Sequence, residues 1–572
     1  MTTSSRVRSV FVASTDPQRI LAFRHHVKPT HWIVPYSEAM WSTFARLQWV
    51  SEEVPPYLNT LQGIYPMDSA LGEILWLNYP DEGIGTRLGY KVDWILVDGK
   101  SNLTSLRALT TPNTCLFGWS QGAMPAYVEE MVPTPEGWRL GRFRGTQSSP
   151  IVVPPSRVAI VGGGIAGAFC AYALSLRGIS PLLIDRGVVP ASEASALFAG
   201  LIHPHWQQTD SPFFKLTRAG YVYTLNLLAR EPFRSRWGKP QSASLIESEV
   251  TRIHPPLYEP IGVFDMATDE AEWCRWAEAY ARDKPFAMPK RLAQLFDTEQ
   301  AQAQTGLPVA RGGWWFPEAG LVYASRLARA LIEASGAQVL TNTEVRLERH
   351  GDAWSLCNAA GESLAEVSDV ILASARETRS LLGLPMSHLP LMGLKGRISL
   401  VMDAPLPEQR IALTGTGYLM KLPGELTAMG ATYEPLDKAP WSELEAHEHN
   451  ASLFRSLLPQ HSDYSPLWGG FYEGVRAVTT DRMPVVGRAF MPKTLEHLAF
   501  KGVPELERLS YEKGLWVMAG LGSRGLTWGA ICAEICVRQL LGEPPIVEAS
   551  LRRALHPHRF VRAMLGEFVS GS

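Results

Sequence analysis

The sequence predicts an α/β protein organised around a βαβ unit. A short apolar run at 158–161 leads directly into a glycine turn, and an apolar segment with helical character follows at 165–177. A second apolar run at 181–184 ends at an acidic residue. Strand, glycine turn, helix and strand in this order are typical of the βαβ unit that binds a dinucleotide.

The length of the chain predicts more than one structural unit. A chain of 572 residues exceeds one ordinary hydrophobic core. A Pro- and Ser-rich segment at 146–156 has no helical periodicity, which indicates a linker. We therefore predict an α/β unit at 1–145 and a larger unit at 157–572.

The first predicted unit has a mixed pattern of helices and strands. Residues 35–47 favour a helix, whereas 74–77 and 93–97 favour strands. The last of these runs ends at Asp98 and Gly99. A polar loop after a buried strand is the usual place for a ligand at the carboxyl edge of an α/β sheet.

The glycine turn of the second unit carries the dinucleotide motif. Gly162, Gly164 and Gly167 suit a tight turn, close approach of the backbone to a pyrophosphate, and close packing of helix on strand. The pyrophosphate then lies at a helix N-terminus, where free N–H groups and the helix dipole favour an anion. Asp185 follows Gly162 by 23 residues and is placed to accept hydrogen bonds from ribose hydroxyls. The predicted contacts are Gly162, Gly163, Gly164, Ile165, Ala166, Gly167, Asp185 and Arg186.

A second glycine-rich element near the C-terminus favours FAD over NAD. We predict a hairpin region at 339–357, strands at 370–373 and 515–519, and a final helix at 529–541. The glycine-rich element lies between the last strand and that helix, where backbone amides can meet a flavin ring and its ribityl chain. The partial positive charge of a helix N-terminus stabilises a reduced, anionic flavin. The candidate contacts here are Gly522, Ser523, Arg524, Gly525 and Leu526.

Composition excludes several other classes of protein. The formal net charge of −2 gives no global electrostatic case for nucleic-acid binding, although it is compatible with a local basic patch. Six cysteines without a CxxC pair argue against a zinc site and against a disulfide scaffold, so we predict no metal. The N-terminus lacks the apolar core of a signal peptide, and the apolar segment 158–176 is interrupted by glycines. We therefore expect a soluble, cytoplasmic protein with no membrane association.

From residue 157 onward the chain resembles a known class of flavoproteins. The matching segments are VAIVGGGIAG (158–167), ASALFAGLIHP (194–204), GGWWFP (312–317), GYLMKLPGELTAMGATY (417–433), GVRAVTTDRMPVVG (474–487), AGLGSRGLTWGAICAEI (519–535) and GEPPIVEASLRRALHPHRF (542–560). They are similar to the glycine oxidase and D-amino acid oxidase class, and within it to the FAD domain of the bifunctional tRNA 5-methylaminomethyl-2-thiouridine biosynthesis protein family. The resemblance implies an FAD-binding Rossmann-like domain with an interleaved antiparallel-sheet substrate domain.

The N-terminal unit is similar to a shortened, degenerate version of that family's methyltransferase domain. KVDWILVDG (91–99) matches the family's strand that ends in Asp98 and Gly99. The family's glycine-rich S-adenosylmethionine loop should precede this strand, and the chain is expected to begin too late to contain it. GIGTRLG (83–89) follows no predicted strand and is not a replacement. We therefore expect methyl transfer to be lost and S-adenosylmethionine not to be a cofactor.

The resemblance also implies an activity and further site residues. The family's FAD domain removes the carboxymethyl group from 5-carboxymethylaminomethyluridine at the tRNA wobble position, which makes tRNA the expected substrate. Arg476 is the expected contact of the substrate carboxylate, because arginine holds a carboxylate bidentately. The alternative for Arg476 is a structural ion pair with Asp481.

Several other residues of the flavin unit have expected roles. Ser195 and Gly200 match the family loop beside the flavin ring, whereas residues 196–198 are apolar where relatives are polar. His203 is a candidate base for the amine, or a hydrogen-bonded structural histidine. Val345, on a predicted strand, is expected to contact adenine.

Two other functions stay open at this point. One is an oxidase of a free small amino acid such as glycine, sarcosine or a D-amino acid. The other is a flavoprotein that docks on tRNA or on an enzyme without catalysis. A basic C-terminal cluster either meets RNA phosphates or forms a solvated helix end; it consists of Arg552, Arg553, His556, His558, Arg559 and Arg562.

Overall fold

A computed structural model of the chain shows two compact units. Unit 1 comprises Met1–Pro154, Pro285–Met288 and Arg538–Arg552, and unit 2 comprises Pro155–Lys284, Pro289–Val537 and Arg553–Ser572. The structure describes residues 9–27, 29–35, 37–50, 63–69, 72–78, 88, 90–97, 106, 109–110, 114–118, 128–131, 139–144, 155–207, 209–237, 256–281, 289–383, 386–407, 410–423, 426–490 and 510–561. Most of the predicted linker, all of GIGTRLG (83–89) except Leu88, the pair Asp98–Gly99, and Arg562 lie outside these residues.

Unit 1 contains an eight-stranded sheet. Its strands are β1 (Ser9–Ala13), β2 (His31–Pro35), β3 (Gly63–Ser69), β4 (Gly72–Asn78), β5 (Trp94–Val97), β6 (Cys115–Phe117), β7 (Val128–Met131) and β8 (Leu140–Phe143), in the order β3-β4-β2-β1-β5-β6-β8-β7. The five strands from β4 to β6 in that order are parallel, and β3, β8 and β7 are antiparallel to their neighbours. Fully buried apolar residues fill the central strands, as expected for a parallel sheet covered on both faces.

The local predictions for unit 1 are confirmed. The described helices with full bounds include α1 (Pro17–Val27) and α2 (Glu38–Arg46), and α2 lies within the predicted segment 35–47. Helix α2 begins where it does because the Ser37 hydroxyl accepts a hydrogen bond from the Met40 N–H, 3.1 Å away. Strands β4 and β5 correspond to the runs predicted at 74–77 and 93–97.

The centre of this sheet is a topological switch point. Strand β1 lies between β2 and β5, so the chain leaves it towards one edge and later returns on the other side. The turn after β1 is therefore the place where a glycine-rich nucleotide loop belongs. The prediction that the chain begins too late for this loop is wrong, since β1 precedes the turn and residues 14–16, which contain no glycine, occupy it.

Unit 2 contains a six-stranded sheet that matches the predicted nucleotide-binding core. Its strands are β9 (Val158–Val161), β10 (Leu182–Ile184), β17 (Gln338–Leu340), β21 (Asp369–Leu372), β28 (Val485–Phe490) and β29 (Tyr511–Ala519), in the order β17-β10-β9-β21-β29-β28. All pairs are parallel except β28 with β29. Strand β9 is buried along its whole length and has β10 on one side and β21 on the other, which makes it the switch point of this sheet.

A larger sheet of unit 2 is formed by strands inserted in sequence between β10 and β28. Its strands are β13 (Val263–Met266), β14 (Gln294–Phe296), β15 (Gly313–Phe316), β22 (Leu391–Val401), β23 (Ala412–Thr414), β24 (Tyr418–Lys421), β25 (Thr427–Gly430), β26 (Glu434–Pro435) and β27 (Trp468–Thr479). The order is β14-β15-β13-β23-β24-β25-β22-β26, with β27 also paired to β22, and only β13 with β23 is parallel. The predicted interleaved antiparallel sheet is confirmed.

Smaller sheets and helices complete unit 2. The small sheets consist of β11 (Gly200–Ile202), β12 (Tyr258–Glu259) and β16 (Gly320–Val322), and of β18 (Arg346–His350), β19 (Ala353–Cys357) and β20 (Ser363–Val367). The helices in the described part of this unit include α3 (Ile165–Ser175), α4 (Pro212–Leu228), α5 (Glu270–Ala281), α6 (Thr298–Thr305), α7 (Ala324–Ser335), α8 (Thr378–Leu381) and α9 (Glu443–Leu457). Two further helices, α10 (Gly525–Leu541) and α11 (Ala549–Leu555), each contain residues of both units.

The C-terminal boundaries differ from the prediction. The helix predicted at 529–541 begins four residues earlier, at Gly525, because the second glycine-rich element turns directly into it. It is also not the final helix, since α11 follows. Among the described residues no helix is both long enough and apolar enough to cross a membrane.

Candidate active site

The glycine turn after β9 is shaped by contacts that leave no room for side chains. Gly162 has φ +110°, and a Cβ there would lie 2.6 Å from the carbonyl oxygen of Ala373. A Cβ on Gly167 would overlap the carbonyl oxygen of Gly162. The first and third glycines of the motif therefore have the turn-forming and packing roles that the spacing predicts.

The start of helix α3 fits a pyrophosphate group. Its N-terminal residue Ile165 donates its N–H to the Ser195 hydroxyl at 3.0 Å. The amides of Gly164 and Ala166 have no acceptor within the described part of the chain, and both residues line a cavity. Unpaired amides at a helix N-terminus are the donors that a phosphate oxygen requires.

Asp185 holds the glycine turn in place. Its carboxylate accepts hydrogen bonds from the amides of Gly163 and Gly187. The neighbouring Arg186 is half-exposed and pairs with Glu193, with Nη2 and Oε1 2.6 Å apart. Asp185 is thus fixed beside the turn, whereas Arg186 already has an anionic partner.

Val345 lies one residue before β18 rather than on a strand, because the hairpin pairing begins at Arg346. It is partly buried and packs against the core of the six-stranded sheet. The hairpin of β18 with β19 confirms the region predicted at 339–357.

A cavity of about 410 Å³ connects the two glycine-rich elements of unit 2. Its walls come from the start of α3, the loop around β11, the turn before α10 and the strands of the nine-stranded sheet. The predicted site residues that line it are Gly164, Ile165, Ala166, Ser195, Gly200, His203, Arg476, Gly522, Ser523, Arg524, Gly525 and Leu526. Those that lie outside the lining are Gly162, Gly163, Gly167, Asp185, Arg186 and Val345.

Arg476 projects from β27 into this cavity and is held in one orientation. It donates from Nη1 to the Ser523 hydroxyl at 2.8 Å and from Nη2 to the Thr432 carbonyl at 2.9 Å. Its guanidinium lies 4.5 Å from the ring centre of Tyr433. Gly396 on β22 leaves the space that the guanidinium fills. The alternative of an ion pair with Asp481 is wrong.

Asp481 pairs instead with Arg559, with Oδ2 and Nε 2.7 Å apart. The hydrogen bond and charge of Arg559 hold the pKa of Asp481 below its ordinary value, although burial alone would raise it. His556 and His558 are buried too. The C-terminal cluster is therefore neither a phosphate-binding surface nor a solvated helix end over these three positions, 556, 558 and 559.

Arg524 is a second cation in the cavity. Its guanidinium stacks against the rings of Phe213 and Trp528, at 4.9 and 5.6 Å. No side-chain hydrogen bond or ion pair joins it to the residues that the structure describes. Burial lowers its pKa, but an arginine stays protonated at neutral pH.

His203 also borders the cavity and is neutral near pH 7. Its Nδ1 lies 2.8 Å from the carbonyl oxygen of Pro204, which can only accept, so Nδ1 carries the proton and Nε2 is an acceptor. Burial lowers the pKa of this imidazole below its ordinary value.

Sequence reasoning missed Asp265 and His205, which line the same cavity. Asp265 lies in β13, which is buried throughout, and Thr414 donates a hydrogen bond to its Oδ1 at 2.8 Å. The signal was an acidic residue within an otherwise apolar strand, VFDM. No group of three His, Cys, Asp or Glu side chains in the described ranges is arranged to hold a metal ion.

Comparison with known proteins agrees with this geometry. The chain matches the FAD dependent oxidoreductase family (DAO) over residues 157–539. It is 33% identical over 445 residues to the tRNA 5-methylaminomethyl-2-thiouridine biosynthesis bifunctional protein of Burkholderia multivorans. The aligned residues cover 76% of this chain and 64% of that protein. The chain thus spans about 64% of the length of that curated relative.

Solved structures show the same fold at low identity. Glycine oxidase from Geobacillus kaustophilus has a TM-score of 0.52 at 21% identity, over 69% of this chain and 97% of that one. Iminodiacetate oxidase from Chelativorans sp. BNC1 has a TM-score of 0.50 at 20% identity, over 68% and 97%. The family match over residues 157–539 identifies FAD as the cofactor of unit 2. The chain belongs to the DAO family of FAD-dependent oxidoreductases.

Proposed function

We propose that this enzyme oxidises an N-substituted glycine, and that its substrate is the carboxymethylaminomethyl group of a wobble uridine in tRNA. The observation that carries the proposal is the position of Arg476, a fixed guanidinium in the same cavity as both glycine-rich elements. The name of the Burkholderia multivorans relative supports tRNA as the substrate.

Arg476 is the proposed contact of the substrate carboxylate. Ser523 and Thr432 fix the plane of its guanidinium, and they use only two of its five N–H donors. The remaining donors suit a bidentate pair with a carboxylate. A fixed fork loses little side-chain freedom on binding, which favours affinity.

The chemistry divides between cofactor and protein. FAD, when bound, supplies the acceptor for the hydride of the glycine α-carbon. His203, with Nε2 free to accept, is the proposed base that takes the amine proton. The substrate leaves this step as an imine, water adds to the imine carbon, and cleavage of the C–N bond releases glyoxylate and the aminomethyl nucleoside.

We propose that unit 1, with a methyltransferase-like region at 1–145, has lost methyl transfer and does not use S-adenosylmethionine. The support comes from the side chains that lie at the switch point of its sheet. Asp16 accepts the amide of Gln18 at the start of α1, 3.0 Å away. Arg19 is buried there and donates to the carbonyl of Val97, the last residue of β5, at 2.8 Å. These side chains fill the crevice in which a ligand of this fold binds.

A free small amino acid is the second candidate substrate. Leu197 lines the cavity, and Phe198 packs edge-on against Tyr472 with ring centres 6.5 Å apart. This loop offers apolar surface where a nucleoside substrate would gain from polar contacts, and this favours a small molecule.

Anaerobic reduction of the bound flavin separates the two candidates. The purified holoenzyme is mixed with tRNA that carries carboxymethylaminomethyluridine, with the same tRNA lacking the modification, and with glycine or sarcosine. We expect loss of flavin absorbance with the modified tRNA and release of glyoxylate. Loss of absorbance with the small molecules alone would contradict the tRNA proposal.

The methyl-transfer proposal has its own test. The protein is incubated with aminomethyl tRNA and S-adenosylmethionine labelled in the methyl group. We expect no label in the tRNA, with an active methyltransferase as the positive control. Incorporation of label above background would show that unit 1 is catalytic.

A further inference from the structure

Asp265 differs from every other residue that lines the cavity. It is the one carboxylate among the described lining residues, in a cavity that also holds Arg476 and Arg524. It is 5% exposed and lies in a buried strand. Burial of a carboxylate costs free energy unless its oxygens accept hydrogen bonds, so the donors to both oxygens must be identified.

Among the described residues, only one of the two oxygens has a hydrogen-bond donor. Oδ1 accepts the hydrogen bond from the Thr414 hydroxyl. Oδ2 has no hydrogen-bond partner within the residues that the structure describes. His205 Nδ1 is 3.7 Å from Oδ2, beyond hydrogen-bond distance. Oδ2 therefore borders a cavity without a hydrogen-bond donor from the described residues.

The neighbours of Asp265 keep it ionised. His205 and His203 face it from the loop that follows β11, Arg524 faces it from the turn before α10, and Thr414 faces it from β23. Burial raises the pKa of the carboxyl, but the His205 imidazole beside Oδ2 and the hydrogen bond from the Thr414 hydroxyl to Oδ1 outweigh it and hold the pKa below its ordinary value. Oδ2 is consequently a charged acceptor.

We propose that Asp265 binds the protonated amine nitrogen of the substrate through Oδ2, so that the cavity recognises a zwitterion. Arg476 takes the carboxylate and Asp265 takes the ammonium, and the two contacts together fix the α-carbon between them. This inference rests on the proposed function and deepens it. It assigns the substrate class as an amino acid with a cationic nitrogen, and it excludes carboxylates in which that nitrogen is replaced by oxygen or sulfur.

A pair of ligands that differ only in the charged nitrogen tests the proposal. N-methylglycine and (methylthio)acetate have the same length, and sulfur replaces the N–H group in the second. Each is titrated anaerobically into the holoenzyme, and the visible spectrum of the bound flavin reports binding. We expect the wild-type protein to bind N-methylglycine at least about 10-fold more tightly, as a charge-assisted hydrogen bond predicts.

The Asp265→Asn variant removes the charge and keeps the shape. We expect its affinity for N-methylglycine to fall by about 10–100-fold. Its affinity for (methylthio)acetate is expected to stay within about 3-fold of wild type, since that ligand makes no charged contact with Asp265. Thr414→Val is the matched control, because it alters the same cluster but keeps the carboxylate, and it should retain the preference for the amine.

Each outcome decides the proposal. Equal losses for both ligands in Asp265→Asn, or no loss for either, would show that Asp265 only supports the wall of the cavity. If that variant fails to retain FAD, the wild-type preference still decides, because equal binding of the two ligands overturns the proposal. Wild-type protein that prefers N-methylglycine but is not reduced by modified tRNA refutes the tRNA substrate and leaves Asp265 as the amine contact. Wild-type protein that neither binds N-methylglycine nor is reduced by modified tRNA refutes both.

Discussion

The two mostly parallel sheets of this chain both have a switch point at their central strand, but the turns at these two switch points differ in the residues that occupy them. In unit 2 the turn after β9 consists of glycines, and the amides of Gly164 and Ala166 remain without acceptors in the described ranges. In unit 1 the turn after β1 contains no glycine, and the side chains of Asp16 and Arg19 occupy the corresponding place. The turn after β9 (residues 162–164) leaves space and N–H donors for a ligand and is called the open turn. The turn after β1 (residues 14–16) is called the filled turn, because side chains of the protein occupy it and bond its backbone.

The difference shows that topology alone does not make a binding site. Both turns lie at the carboxyl ends of central strands, and both precede a helix N-terminus. Side chains in the turn decide whether helix amides face a ligand or a carboxylate of the same chain. Gly118 contributes to the filled turn, because its missing side chain lets Arg19 pass; a Cβ there would lie 2.8 Å from Arg19 Cδ.

Filling the open turn is expected to have the largest effect. In Gly167→Ala the new methyl group would overlap the carbonyl of Gly162, which is backbone and cannot move aside without opening the turn. We expect the purified variant to contain no FAD, measured as flavin absorbance per protein. Gly383→Ala is the control, since among the described residues no atom beyond its chain neighbours would lie within 4 Å of a Cβ at that position. FAD content like that of wild type in Gly167→Ala would contradict the comparison.

Loosening the open turn should have a smaller effect. Asp185→Asn replaces a carboxylate that accepts two amides with a group that carries its own donor. We expect the affinity for FAD to fall by about 10–100-fold, the loss of one charge-assisted hydrogen bond. Fluorescence titration of the apoprotein with FAD measures it, and the exposed Asp352→Asn is the control. An unchanged affinity would mean that the turn holds its shape without Asp185.

The open turn could be predicted from sequence because its parts are contiguous. Strand, glycines, helix and Asp185 depend on local spacing, and the structure places them next to one another, while the ribose contact of Asp185 stays a prediction. The Asp265–Thr414 contact joins residues 149 positions apart and depends on the pairing of β13 with β23. No local pattern contains that pairing, so the contact between Asp265 and Thr414 was not predictable.

For the C-terminal basic cluster, the sequence did contain a local pattern, but the pattern predicted the wrong environment. Charge in the sequence indicated a surface, but His556 packs edge-on against Tyr511, with ring centres 5.7 Å apart, and against Gly487. Burial of a basic residue depends on what packs over it, which composition does not contain. The filled turn of unit 1 was missed for a related reason, since a serine, a threonine and an aspartate carry no motif.

Opening the filled turn tests the other side of the comparison. Arg19→Met keeps much of the apolar stem and leaves the carbonyl of Val97 without this donor. We expect a local loss of about 1–3 kcal/mol, the cost of a buried unsatisfied acceptor. Hydrogen exchange of peptides from β1 and β5 measures it, while FAD content should not change. Arg24→Met, at an exposed position, is the control. Equal hydrogen exchange in the two variants would show that the bond from Arg19 to the Val97 carbonyl does not stabilise β1 and β5.

The smallest expected effect comes from a substitution at Asp16, which tests whether Asp16 or Arg19 closes the switch point of unit 1. Asp16→Ala removes the acceptor for the Gln18 amide, and the loss of an N-terminal cap costs about 1 kcal/mol. We expect faster hydrogen exchange in the first turn of α1, comparable to that produced in α4 by Ser211→Ala, whose hydroxyl accepts the Phe214 amide at 3.1 Å. Neither variant should alter FAD content. Arg19 still fills the crevice in Asp16→Ala, so calorimetry with S-adenosylmethionine should show no binding. Binding at this single substitution would mean that the cap, and not the buried arginine, closes the switch point of unit 1.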